Sequence, residues 1–292
     1  MSWYKLTEIN EGIYAVIDKD GGWFLSNSGL IDLGDKTVII DTQYNEDRAT
    51  ELKHLIQKLN LPSKTIIIHT HHHGDHVWGA GVFSPEHILM HPIADQIARS
   101  LEDAGIRELY KQVFPHLDFS KSKYTPPTIL VDEEMIIRGE TRHVVLKPFG
   151  PAHTPGDLIV EVDDVVFTGD ILFNKVTPLA IDGTVQGWIK RLEQLPRVQQ
   201  YVPGHGEIGG PEIIEVLKEY LAMIYEETRK AYEKGIDDPI KIGESIDLGP
   251  YKSWKHPERV YFNVERALMD LKDIPPGTPT PRLLELASRL QL

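Results

Sequence analysis

Cysteine is absent from all 292 residues, which excludes disulfides and thiolate metal ligands. Long apolar runs are missing too. No stretch approaches the ~18 consecutive apolar residues of a membrane helix, and the opening MSWYKLTEINEGIYAV lacks the basic start and apolar centre of a secretory leader. A cytoplasmic location with no membrane partner is therefore expected. Positive charge is scarce as well: 31 Lys and Arg stand against 44 Asp and Glu, a formal net charge of −13. Phosphate backbones and anionic bilayers need clustered cations, so nucleic acid is not an expected partner. Internal repeats and low-complexity segments are not found. A hydrophobic share of 41% is that of an ordinary globular chain, so disorder is not expected.

Strands and helices interleave along the chain. Ile13 to Ile17, Leu30 to Leu33 and Val38 to Ile40 are short β-branched runs separated by Gly and Asp turn signals, and they read as an antiparallel sheet. Glu46 to Leu59 has helical apolar spacing and ends at Asn60 and Pro62. Strands are predicted at Thr65 to Ile68, His87 to Met90, Thr128 to Val131, His143 to Lys147, Leu158 to Val162 and Val165 to Phe167, with a helix near Ile93 to Ala104. Beyond Gly210 the pattern turns helical: Ile213, Leu217, Tyr220, Leu221, Ile224, Thr228 and Ala231 share a face up to Gly235. Further helices are predicted at Pro257 to Leu271 and Pro281 to Leu290, joined by IPPGTPTP from Ile274. The expected class is α/β (α+β) with helices covering sheets. The expected division is a domain over residues 1–210 and a helical extension over 211–292 packed on it.

Five of the 13 histidines fall in IHTHHHGDHVWG, directly after the apolar strand Thr65 to Ile68. Imidazole and carboxylate are ligands suited to Zn, Fe or Mn. A tight turn after a strand aims alternate residues at one point, which places His71 and His73 to bind one ion and Asp75 and His76, past Gly74, to bind a second. A solvated histidine-rich loop would be a rare use of composition. Three more candidates follow: His153 in GPAHTPGD, Asp170 in VVFTGD and His205 in YVPGHGE. Alone, these read as a surface histidine, a turn aspartate and a glycine-flanked turn. Together with the cluster they make seven ligands, all just beyond predicted strands, where α/β folds gather their site loops.

In order and spacing these motifs resemble the metallo-β-lactamase fold hydrolases over roughly Ile13 to Gly210. The matching motifs are the Asp-ended strand Ile39-Ile40-Asp41, THxHxDH at Thr70 to His76, the motif around His153, Thr-Gly-Asp ending at Asp170, and Gly-His-Gly around His205. The resemblance implies a four-layer αβ/βα sandwich with two divalent ions at one edge of its sheets, Zn foremost and Fe or Mn as alternatives. It implies that His71, His73 and His153 hold the first metal, Asp75, His76 and His205 the second, and that Asp170 bridges both. Two such ions share a hydroxide at neutral pH and polarise the oxygen under attack, with Asp75 as the catalytic group that orients the hydroxide. The expected function is hydrolysis of an ester-type bond in a small lactone, thioester, phosphoester or related molecule.

A bridging Asp170 resembles the glyoxalase II, lactonase and organophosphate hydrolase branches, so β-lactam hydrolysis, as main or side activity, is an alternative. A mono-iron persulfide dioxygenase is another. The diiron reductases of this fold read HxExDH where this chain has His73, and the nucleic-acid-processing members carry basic arms that it lacks. A non-enzymatic binding module normally loses ligands, and all seven are present. Trp23 and Phe24, in a Gly-rich turn, resemble the hairpin that overhangs the site. Asn174 and Lys175 are candidates for an anionic substrate group. Asp41 either orients a ligand histidine or ends a strand, and strand alternation points His69 and His72 away from the ligands. The extension occupies the place of the glutathione-binding helices of glyoxalase II without a matching basic motif. Covering the site's rim or forming a homo-oligomer interface are both consistent with it.

Overall fold

The computed structural model describes residues 2–276 and 281–290, so residues 277–280 of the expected IPPGTPTP linker lie outside the described residues. The first sheet begins as an antiparallel meander of β1 (Tyr4–Asn10), β2 (Ile13–Asp18), β3 (Ser28–Asp32) and β4 (Thr37–Ile40). It continues in parallel through β5 (Thr65–Ile68), β6 (His87–Met90) and β7 (Ile129–Leu130). Parallel neighbours need crossovers. These carry α1 (Glu46–Lys58), the one-turn α2 (Gly74–Val77), and then α3 (Pro92–Asp103) and α4 (Ile106–Val113). Asn45 caps α1 by accepting from the Arg48 N–H, and the helix buries Ala49, Leu52 and Ile56 on one face.

The second sheet runs β12-β11-β10-β9-β8. Its members are β8 (Met135–Arg138), β9 (His143–Pro148), β10 (Leu158–Val162), β11 (Val165–Asn174) and β12 (Gln200–Gly206), with α5 (Val185–Leu192) in the parallel crossover from β11 to β12. Helices α6 (Glu212–Glu233), α7 (Pro239–Ser245), α8 (Val260–Leu271) and α9 (Pro281–Leu290) complete the chain.

The period-2 alternation of the strands builds the layers. Val38, Ile40, Ile66 and Ile68 point between the sheets, where they meet Leu146, Val160, Phe167 and Val202. Their neighbours Ile39 and Ile67 point the other way, onto Leu52 and Ile56 of α1. On the far side Ile159, Val166 and Tyr201 pack against Trp188 of α5, Leu217 and Tyr220 of α6, and Val264 of α8. Each fully buried aliphatic or aromatic chain in these layers contributes about 1.5–3 kcal/mol. The result is helix, sheet, sheet, helix: the four-layer sandwich. Among the described residues no helix is long and apolar enough to cross a membrane.

Two strand assignments change. The strand expected to stop at Phe167 runs on to Asn174, because Gly169, at φ +52°, absorbs a shift in register with β12 instead of ending the ladder. A side chain at Gly169 would strike Thr70. Asp170 and His205 therefore sit inside β11 and β12, not just beyond them. The short elements β1, β8, α4, α5 and α7 were not anticipated. β8 alternates half-buried and exposed at the sheet edge, and α4 is eight residues long and buries no residue fully.

Candidate metal centre and its cavity

Four segments at one edge of the sandwich bring these residues together. The turn after β5 and the α2 it runs into carry His71, His73, Asp75 and His76; the turn after β9 carries His153; β11 carries Asp170; and β12 carries His205. Asp157 holds the second turn in shape, accepting from the Ala152 N–H at 3.1 Å, the Thr154 N–H at 3.0 Å and the Thr154 hydroxyl at 2.6 Å.

Ligand atoms of His71, His73, His153 and Asp170 lie within 4.8 Å of one another, and so do those of Asp75, His76 and His205. Asp170 spans the two groups. Its Oδ2 lies 3.4 Å from His153 Nε2 and 3.4 Å from His205 Nε2, while Oδ1 lies 3.2 Å from His76 Nε2. Gly204 makes room for it, since a Cβ there would come within 1.8 Å of Asp170 Oδ1.

The outward nitrogens fix the tautomers. Asp41 Oδ2 lies 2.7 Å from His76 Nδ1 and accepts from the Thr70 hydroxyl at 2.8 Å, while Oδ1 accepts from the Thr70 N–H at 2.8 Å. With its proton given to Asp41, the Thr70 oxygen accepts from His71 Nδ1 at 3.0 Å. His73 Nε2 lies 2.7 Å from Asp182 Oδ2. One N–H of each ring is thereby committed outward, which orients the rings of His71, His73 and His76 so that the other nitrogen faces the site and can coordinate once it carries no proton. Among the described residues His71 Nε2, His76 Nε2 and Asp170 Oδ1 are buried without a hydrogen-bond partner. His73 Nδ1 lies 3.0 Å from His153 Nε2, a contact in which either ring nitrogen can donate. Buried imidazole nitrogens and carboxylate oxygens that converge this closely are what a cation requires, so these residues fit a metal.

The carboxylates draw positive charge into the site: against the effect of burial, Asp170 and Asp41 raise His76 well above its ordinary value, Asp182 raises His73 and Asp170 raises His205, so these rings attract protons that a bound cation would displace. Burial drives the His71 imidazole well below its ordinary value and His153 to about 3, so both stay neutral. Burial opposes ionisation of Asp75, but His76 and His205 outweigh it and hold the carboxyl at about 2. Asp170 is likewise held well below the usual range by His205 and His76 against the effect of burial. The carboxylates are thus poised to receive positive charge.

Among the described residues His69 lies outside every candidate ligand group, whereas His72 forms a third one with His73 and Asp182 beside the two above. His69 is fully buried, and burial pushes it down to about 4. His72 is also buried, with Nε2 3.2 Å from Asp182 Oδ2. Sequence reading missed Asp182. In Ala180-Ile181-Asp182-Gly183-Thr184 it has the look of a turn residue, and only the fold brings it against His72 and His73. Replacing Asp41 by Ala is expected to weaken metal binding by roughly 10–100-fold, read by titration against a chelating indicator. Asp41→Asn, which tolerates the left-handed backbone at φ +58° and keeps one acceptor, should fall between. Equal affinity in all three proteins would refute the orienting role.

The centre opens into a cavity of about 160 Å³ whose walls are mainly apolar. Asp75, Asp170, His73, His205 and Asp182 form its polar end, and Trp23 and Phe24 line it from the turn between β2 and β3. Phe24 stacks on Trp78 at 6.1 Å, and Trp23 packs on Phe114 and Phe262. Asn174 and Lys175 do not reach this cavity. The Asn174 amide donates to the Glu207 carbonyl at 2.9 Å, and Lys175 is exposed, because the strand continues through Asp170 and carries both residues past the site.

The sequence model described as "Metallo-beta-lactamase superfamily" matches residues 21–242. A curated relative, the metallo-beta-lactamase type 2 of Bacteroides fragilis, is 22% identical over 240 residues, covering 77% of this chain and 88% of that protein. Among solved structures, a metallo-beta-lactamase from Pontibacter korlensis superposes with a TM-score of 0.61 at 16% identity, covering 75% of this chain and 99% of that one. One from Hirschia baltica gives 0.57 at 19% identity, covering 75% and 97%. At these identities the structural likeness is one of fold.

Proposed function

The chain belongs to the metallo-beta-lactamase superfamily, and from that premise we propose that it is a dinuclear metal-dependent hydrolase of a small molecule with an ester-type bond. The observation that carries this reading is the pair of ligand groups, within 4.8 Å each, with Asp170 between them. His71, His73 and His153 would hold one divalent ion, and Asp75, His76 and His205 the other. Zn is the first choice for such ligands, with Fe or Mn fitting the same set. When bound, the ions would lower the pKa of water and polarise the oxygen under attack.

The chain's own residues do the rest. Asp75 lines the cavity and would orient the attacking water by accepting its hydrogen bond. Asp41, Thr70 and Asp182 hold three imidazoles in the ligating tautomer. Trp23 and Phe24 exclude water and pack the apolar part of the substrate. Residues 211–292 are read as an extension packed on the 1–210 unit, since α6 and α8 share one core with the second sheet.

Metal content per chain, measured together with turnover of lactones, thioesters, phosphodiesters, phosphotriesters and β-lactams, tests the proposal. Two ions and hydrolysis of at least one ester-type class are expected. β-Lactams belong in the panel because of the name of the Bacteroides fragilis relative. No hydrolysis by metal-replete protein would refute the proposal, and a single iron with sulfur-dependent oxygen uptake would replace it with the dioxygenase reading.

A further inference from the structure

Arg259 lies in the turn that leads into α8, is only 2% exposed, and lines the same cavity as Asp75, Asp170 and His205. Its guanidinium lies 4.8 Å from the centre of the Trp23 ring, and Nη1 donates to the Thr177 carbonyl at 3.1 Å. Trp23 is itself anchored, its indole N–H donating to Glu258 at 2.9 Å. The Arg259 Nε is buried with no hydrogen-bond partner. Arginine does not shed its proton in a protein, so a rigid cation is held at the wall of a small, mostly apolar cavity. The carboxylates at the other end, Asp75 and Asp170, are already engaged by the ligand histidines. Glu258, beside Arg259 in sequence, is engaged by Trp23 and by His256 at 3.1 Å.

We propose that Arg259 is the anion anchor of the cavity and that the substrate is a small molecule with an apolar or aromatic body and one carboxylate group apart from the bond that is cleaved. A guanidinium fork matches a carboxylate in shape and charge. A cavity of about 160 Å³ bordered by Tyr110, Phe114, Leu179, Ile181 and Phe262 favours a compact apolar body. This inference rests on the hydrolase reading and names its substrate class. It also gives the helices after residue 211 a task, because they supply Arg259, Phe262 and Ala287 to the cavity wall.

Calorimetric titration of the metal-loaded protein with phenylacetate and with neutral phenylacetamide tests the anchor. The wild type is expected to bind the carboxylate about tenfold or more tightly than the amide. Arg259→Met should lower phenylacetate affinity by a similar factor, and Arg259→Lys, which keeps the charge and loses the fork, should lower it less. Metal content and melting temperature of each variant report its fold. If Arg259→Met bound phenylacetate as tightly as the wild type, or the wild type showed no preference for the carboxylate, the proposal would be overturned. If Arg259→Met did not fold, Arg259→Lys would decide: affinity equal to the wild type would count against the fork. Turnover of paired aryl esters with and without a carboxylate forms a separate arm. Failure of both esters would refute the hydrolase reading while the titrations still judged Arg259.

Discussion

Asp170→Ala is expected to lose at least one of the two bound ions and to reduce hydrolysis by more than about a hundredfold, the upper end of what loss of an orienting partner alone costs. The reason is its position. Its oxygens reach both groups, 3.2 Å from His76 on one side and 3.4 Å from His153 on the other. Without it, Asp75 is the carboxylate left within the two ligand groups to balance the cations. Asp170→Asn keeps the shape that Gly204 accommodates and removes the charge, so it separates the electrostatic role from the space-filling one. Elemental analysis of both variants beside steady-state kinetics reads the result. Unchanged metal content in Asp170→Ala would refute the shared-carboxylate arrangement.

The candidate ligands stand out in the sequence because they are local or motif-bound. His71, His73, Asp75 and His76 fall in one turn after a strand whose four residues are all apolar or β-branched, and a strand end followed by chemistry is a pattern periodicity can find. The layers were legible for the same reason, since Ile39 and Ile67 alternate with the residues that face the second sheet. The supporting residues were not. Asp182 sits in a segment of ordinary turn composition and Arg259 at the start of an expected helix, and each acquires meaning only from a partner far along the chain: Asp182 from His72 and His73, Arg259 from Trp23. Asn174 and Lys175 lie away from the cavity for a local reason. The Thr-Gly-Asp signal reads as the end of a strand, whereas Gly169 turns it into a bulge and the strand carries the next residues away from the site.

Stripping the metals is expected to destabilise the whole fold, lowering the melting temperature on the order of 10 °C. An ion present at about a thousand times its dissociation constant stabilises the folded state by ~4 kcal/mol, and in a chain of this size each ~1 kcal/mol moves the midpoint by roughly 2–4 °C. The site itself gives the local cause. His71 Nε2, His76 Nε2 and Asp170 Oδ1 are buried without hydrogen-bond partners, and each unsatisfied buried polar group costs about 1–3 kcal/mol. The segments that carry them, the turn after β5, α2 and β11, belong to both halves of the sandwich, so the cost of these buried groups falls on the whole edge and is not confined to a loop. Thermal melts of chelator-treated protein, before and after return of Zn, Mn or Fe, measure the effect. The drop should be reversible on metal return and should shrink in Asp170→Ala, whose folded state has less to gain from the ions. A stripped protein that melted at the temperature of the loaded one would mean that the ligand cluster is satisfied without metal, and that the buried acceptors at the sheet edge have another partner.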